Sequence, residues 1–268
     1  MTKARLFLII TVLTGLFFPV FSFSAEAEKT GQEIVIGQSC DIEGPNRDFG
    51  ISFRNGAQAY FSKVNDSGGI KGRKIRLMTY NDSSDSGLIL KNTEKLIDID
   101  KVFALFGYTG INSTYSNIIP FIQKADIPFW GCVSGSESLR MPPIKQVFNI
   151  RAGFNDESVA MVDRLIERGL KRIAVVYEET ETGSSAFEST RRIMEKKSVP
   201  MLTSANISSD LKNIDDAVSS MLSANPDAVL MAVSSKVASE FVSRIREKKN
   251  DTILVAFSFA DGETVGKN

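Results

Sequence analysis

From Glu33 onward, apolar runs of four to six residues alternate with longer amphipathic stretches. Runs that short read as buried strands, and an amphipathic stretch between two of them reads as a crossover helix. Repeated βα units build a parallel sheet with helices on both faces, because a parallel connection is long enough to need one. In the first half, Ile34–Gln38, Ile75–Tyr80, Val102–Phe106 and Ile127–Trp130 predict strands. Between them, Phe53, Ala57, Tyr60, Phe61 and Val64 recur at helical spacing within Ile51–Val64, and Leu88, Leu90, Leu96 and Ile97 mark a helix over Ser86–Ile99. Ser113 or Thr114 is suited to cap a third helix running to about Lys124. Asn65-Asp66-Ser67-Gly68-Gly69 reads as a helix stop and turn.

The second half repeats the plan. Strands are expected at Arg172–Tyr177, Met201–Ala205, Val229–Val233 and Ile253–Phe257, with helices near Glu157–Arg168, Ser184–Lys196, Ile214–Ala224 and Lys236–Lys248. Two similar halves imply two α/β lobes with parallel sheets. Their seam falls near Phe148–Phe154, where the extended VFNI leads to an Asn155 or Asp156 cap, so the lobes are expected over 28–150 and 151–268. In such sheets ligands bind beyond the carboxyl ends of the strands. The loops there are rich in Ser, Thr, Gly and Asn, which suits hydrogen bonding to a small polar molecule.

Composition narrows the chemistry. The chain of 268 residues has no histidine, which excludes Ser-His-Asp and Cys-His mechanisms and any His-ligated metal site. Its 32 basic and 32 acidic side chains balance, so nothing electrostatic points to nucleic acid. Neither phosphate-binding glycine motif, G-x-G-x-x-G or G-x-x-x-x-G-K-[ST], is present, so no nucleotide cofactor is expected. No nucleophile and base stand out as a pair, and an enzyme is not expected.

The first residues follow a different rule: Lys3 and Arg5, then the apolar Leu6–Phe21, then small residues. That order is a secretory signal, with Ala25-Glu26-Ala27 preferred over Ser22-Phe23-Ser24 as the cleavage site. The alternative is an uncleaved anchor, for which the apolar stretch is short of the roughly 20 residues a spanning helix needs. Removing residues 1–27 takes away Lys3, Arg5 and Glu26 and leaves a net charge of −1. In an oxidising compartment Cys40 and Cys132 are either a disulfide or two buried thiols.

The ordered segments IVIGQSCDIEGPNRDFG, NDSGGIKGRKIRLMTYNDS, ALFGYTGINST, IPFWGCVSGSESLR, VFNIRAGFNDES and RIAVVYEETETGS together resemble the periplasmic binding proteins of branched-chain amino acid ABC transporters. The resemblance runs from Glu33 to about Gly262. It implies a type I periplasmic binding protein fold: two Rossmann-like lobes that close on a small solute, such as an amino acid, and deliver it to an inner-membrane ABC permease. It also implies a periplasmic monomer. Carried over by position, the ligand carboxylate is held at Tyr108, Thr109, Gly110 and Ile111, at the start of the third helix. Val133, Ser134, Gly135 and Ser136 would add hydrogen bonds, and Phe49 would lie over the ligand. Thr182 and Ser234 fall at or near positions usually held by aromatic residues. Ser258 falls where the family places an acidic residue for the ligand's ammonium group.

A serine cannot supply that charge, which puts the zwitterion in doubt and leaves Asp261 or Glu179 as substitutes. Each residue also has a plainer reading: Gly107, Gly110 and Gly135 as turns, Ser134, Ser136 and Ser258 as caps, Phe49 as core, and Glu178, Glu179 and Glu181 as a solvated charge run. The resemblance further implies a carboxyl-terminal segment beyond Asn268, so the second lobe is expected to be incomplete. Transport is the leading function. A sensory module feeding a signalling receptor and a non-functional fragment are the alternatives.

Overall fold

The computed structural model describes residues 32–109, 112–248, 251–260 and 262. The expected signal segment, Gly110, Ile111 and Asp261 lie outside the described residues, as do the side chains of Ser113 and Thr114. The first lobe runs β1 (Ile34–Cys40), α1 (Arg47–Asp66), β2 (Ile75–Asn81), α2 (Ser86–Glu94), β3 (Ala104–Phe106), α3 (Asn112–Ala125), β4 (Phe129–Trp130) and β5 (Val147–Phe148). The second runs α4 (Phe154–Glu167), β6 (Ile173–Glu178), α5 (Glu181–Lys196), β7 (Met201–Ile207), α6 (Ile214–Ala224), β8 (Ala228–Ala232), α7 (Ser235–Glu247) and β9 (Ile253–Ala256). Each strand expected from the sequence is present, and the extended VFNI run contributes β5.

The strands form two sheets, ordered β2-β1-β3-β4-β5 and β7-β6-β8-β9, and every pairing is parallel. In each sheet the order reverses beside the central strand, between β1 and β3 and between β6 and β8. At such a reversal the crossover helices depart to opposite faces and leave a crevice at the carboxyl ends of the strands. In the second lobe, apolar side chains pack on both faces. Val176, Val229 and Met231 meet α6 and α7 through Val218 and Phe241, and Ile173, Val175 and Leu230 meet α4 and α5 through Val162 and Met194. In the first lobe, Leu105 and Phe129 pack with Ile89 of α2 and Ile118 and Ile122 of α3. The opposite face carries the smaller cluster of Ile34, Ile36 and Ala104, and there Phe103 and Phe148 are exposed.

Local chemistry fixes the joints. The Asn65 side chain accepts from the Ile75 amide at 2.7 Å and donates to the Ile75 carbonyl at 2.8 Å, tying the end of α1 to the start of β2. The α4 cap is a correction: Gly153 is the N-cap, and Asp156 accepts from its amide at 3.0 Å from within the first turn. Thr180 caps α5 by accepting from the Gly183 amide at 3.1 Å, so the helix starts earlier than Ser184 and takes in Thr182. Cys40 and Cys132 are both buried and unpaired, and burial raises both thiol pKa values, that of Cys132 to about 11. Among the described residues no helix is long and apolar enough to cross a membrane.

Candidate functional site

The carboxyl ends of both sheets face one cavity of about 450 Å³ between the lobes. Its first-lobe wall comes from the segments after successive strands: Asn46 and Phe49 after β1, Ser84 after β2, Thr109 after β3, and Val133, Ser134 and Gly135 after β4. Arg151 and Phe154 enter from the crossing segment after β5. Thr182 follows β6, Ser235 follows β8, and Ser258 and Phe259 follow β9. Volume and lining lie in the range of small-molecule sites, with mixed apolar walls and a few polar groups.

Of the residues expected from the sequence, Phe49, Thr109, Val133, Ser134, Gly135, Thr182 and Ser258 line this cavity. Tyr108 does not present its side chain there. Gly107, at φ +60°, turns the chain beyond β3, and the Tyr108 ring drops into the core against Phe129, at 5.1 Å between centroids. Burial raises its phenol pKa, and the hydroxyl sits 3.2 Å from that of Thr93. Ser136 is buried within its own loop, where its amide donates to the Ser134 hydroxyl at 3.0 Å. Ser234 serves as the α7 N-cap, and Ser235 takes the place on the cavity wall.

The charge run is also corrected. Glu178 is buried, accepting from the Ser234 amide at 2.8 Å and the Ser209 hydroxyl at 2.6 Å, which puts a carboxylate at the start of α7. Glu179 and Glu181 are exposed, and Glu179 bonds to Asn206, away from the cavity. The carboxylate beside Ser258 belongs to Glu157 of α4. It accepts from the Ser258 amide at 2.8 Å and hydroxyl at 2.9 Å and pairs with Arg151 at 3.6 Å. The Arg151 guanidinium also donates to the Ser258 hydroxyl.

Two further residues organise the site and left no sequence signal. Arg140 donates to the carbonyls of Ser134 (3.1 Å), Ser136 (2.8 Å) and Arg151 (2.9 Å), clamping the loop after β4 to the crossing segment. Asp41, just beyond β1, accepts from the amides of Gly44 (2.6 Å) and Asn46 (2.9 Å) and from the Ser84 hydroxyl (2.8 Å), while its own amide donates to Thr109 at 3.3 Å. Burial alone would raise its pKa, but the bonds from Asn46, Ser84, Gly44 and Glu43 outweigh it and hold the carboxyl below its ordinary 3.8.

A pKa lowered on folding stabilises the protein at pH above the unfolded value, and that stabilisation is lost as pH falls through the folded one. The stability gap between the wild type and Asp41→Asn is therefore expected to be full near neutrality and to shrink as pH falls below 3.8. Urea midpoints of both proteins from neutral pH down to about pH 3 measure it. A gap that stayed constant across that range would contradict the assignment. Among the described residues, no three or more cysteine or carboxylate side chains gather as a metal site.

The sequence model of a family described as periplasmic binding protein matches residues 33–267. A Pseudomonas aeruginosa protein named amino acid binding protein is 22% identical over 222 residues, covering 81% of this chain and 58% of that protein. A Brucella abortus protein named Leu/Ile/Val-binding protein homolog 7 is 21% identical over 221 residues, covering 79% and 55%. The chain thus spans little more than half the length of these relatives. A solved structure of a possible leucine/isoleucine/valine-binding protein from Rhodopirellula baltica superposes with a TM-score of 0.76 at 24% identity, over 91% of this chain and 67% of that one. At that identity the likeness speaks to the fold.

Proposed function

The chain belongs to the periplasmic binding protein family, and from that premise we propose that it is the solute-binding component of an ABC importer. The observation that carries this reading is the cavity itself, to which segments from both sheets contribute hydrogen-bonding side chains at the carboxyl ends of their strands. A solute held there touches Thr109 and Ser134 on one lobe and Thr182 and Ser258 on the other. Only a bound ligand makes those contacts simultaneously, so its binding free energy favours the closed arrangement. Export to the periplasm, with residues 1–27 removed, brings the protein to its solute, and an inner-membrane permease receives the solute from it. The protein acts as a monomer, and the role requires no bond to be made or broken.

A thermal-shift panel of amino acids, their amides and small carboxylates tests the reading. At a ligand concentration 100-fold above Kd, binding adds about 2.7 kcal/mol of stability, a clear rise in melting temperature. No response to any member of the panel would refute solute binding at this cleft.

A further inference from the structure

We propose that Glu137 of the first lobe is the N-terminal cap of α4, the first helix of the second lobe, and that this cap across the lobe boundary sets the angle between the lobes. The proposal goes beyond solute binding: it concerns how the two walls of the cleft are held relative to each other.

The first observation is where the amides of α4 end. Its N-cap is Gly153, which has no side chain, and the Asp156 carboxylate of the first turn reaches back to the Gly153 amide at 3.0 Å. A cap side chain ordinarily accepts from the second or third amide of the helix. Here the second amide, that of Asn155, donates to Glu137 Oε1 at 3.0 Å, and the first, that of Phe154, donates to the Gly135 carbonyl at 2.8 Å. Both acceptors stand in the segment after β4, so two of the amides that a helix start leaves unpaired are satisfied by the other lobe. A carboxylate at this end also meets the positive pole of the helix.

The second observation is that the body of α4 belongs to the second lobe. Val162 and Leu165 pack with Ile173, Val175 and Leu230 of its sheet, and the Ser158 hydroxyl lies 3.1 Å from that of Thr190 on α5. One helix is thus capped by the first lobe and packed into the second. Rotating one lobe against the other has to break the cap or drag the loop that carries it.

The third observation is the room made for the cap. A Cβ on Gly153 would lie 2.7 Å from Glu137 Oε1 and 2.7 Å from Arg140 Cδ, so the glycine admits both side chains. Arg140 secures the same joint through the carbonyls of Arg151 at 2.9 Å and Ala152 at 3.3 Å. Ser134, Gly135, Arg151 and Phe154 line the cavity beside it, so an angle fixed here sets the separation of Thr109 on one wall from Thr182 on the other.

Electron-spin distance measurements on the ligand-free full chain test the proposal. Spin labels at Gln58→Cys on α1 and Lys196→Cys on α5, both exposed, report across the lobes, and a pair at Lys196→Cys and Glu247→Cys reports within the second lobe. Cys40 and Cys132 are buried and take no label. Glu137→Ala is expected to broaden the cross-lobe distribution about twofold or more, and Glu137→Gln, which keeps an acceptor oxygen, to leave it as in the wild type. Gly153→Ala is expected to broaden it as well, because the new Cβ displaces Glu137 while the backbone, at φ −80° and ψ 165°, accepts alanine. The pair within the second lobe is expected to stay unchanged throughout. If Glu137→Ala does not fold, Gly153→Ala decides in its place. A cross-lobe distribution unchanged in the folded variants overturns the proposal, as does equal broadening within the second lobe, which would make the cap a support of that lobe alone. Solute is absent from the measurement, so its outcome and that of the thermal-shift panel are independent.

Discussion

Replacing Phe154 with alanine is expected to cost about 3–5 kcal/mol of stability and to abolish ligand binding at the cleft. Phe154 is 1% exposed at the first position of α4, beside the crossing between lobes. Its ring meets Phe257 at 5.9 Å with planes 88° apart and Phe259 at 5.7 Å with planes 69° apart. On the other side it lies against the backbone of Gly135, so close that a Cβ there would sit 2.3 Å from the ring. Its amide also donates to the Gly135 carbonyl at 2.8 Å. One ring thus joins the loop after β4 to the loop after β9, and truncation leaves a cavity at that joint. Phe154→Leu keeps most of the volume and is expected to cost much less, about 1 kcal/mol. Urea unfolding measures both through the midpoint at unchanged slope. A loss below about 1 kcal/mol for the alanine variant would show that the joint carries no weight.

The second large effect runs against local propensity. Gly50 lies in the first turns of α1, where alanine is normally favoured over glycine by about 1 kcal/mol. Here a Cβ would lie 1.7 Å from the Asp41 carbonyl oxygen and 3.0 Å from the Cys40 sulfur. The Asp41 oxygen is backbone, in a loop held by several hydrogen bonds, so the helix start must move instead. Gly50→Ala is therefore expected to destabilise by about 1–3 kcal/mol and to weaken ligand binding, because Asn46 and Phe49 move with the helix. Thermal and chemical unfolding, together with the ligand titration, measure both effects. A variant as stable as the wild type would mean that the close approach of α1 to Asp41 is not maintained in solution.

Much of the architecture was legible because its determinants are local. Short apolar runs such as Ile75–Tyr80 and Val229–Val233 mark strands wherever they fall, and Ile214–Ala224 is helical over the same residues that its pattern indicates. Errors cluster at element ends. α1 begins at Arg47, before its apolar stripe, and α4 takes Gly153 as its cap because Asp156 supplies the capping carboxylate from inside the helix. The loops after the strands were likewise identifiable, since parallel βα units put them all at one end.

The site was legible only in outline. Phe49, Thr109, Ser134 and Thr182 sit on the cavity wall, but Tyr108 turns inward because the chain bends at Gly107. Arg151 and Glu157 gave no signal, since an arginine before a helix and a glutamate in its first turn are ordinary in sequence. Their roles arise from Ser258, 107 and 101 residues away along the chain.

The sequence by itself determined the two α/β lobes, their parallel strands and the end of each sheet that carries polar loops. These follow from side-chain periodicity and turn chemistry, which act over a few residues. Only the tertiary structure decided which side chains face one another across the cleft, and that a half-buried glutamate, Glu157, already occupies Ser258. Those outcomes depend on strand order and on the mutual orientation of the lobes, and contacts between distant segments set both.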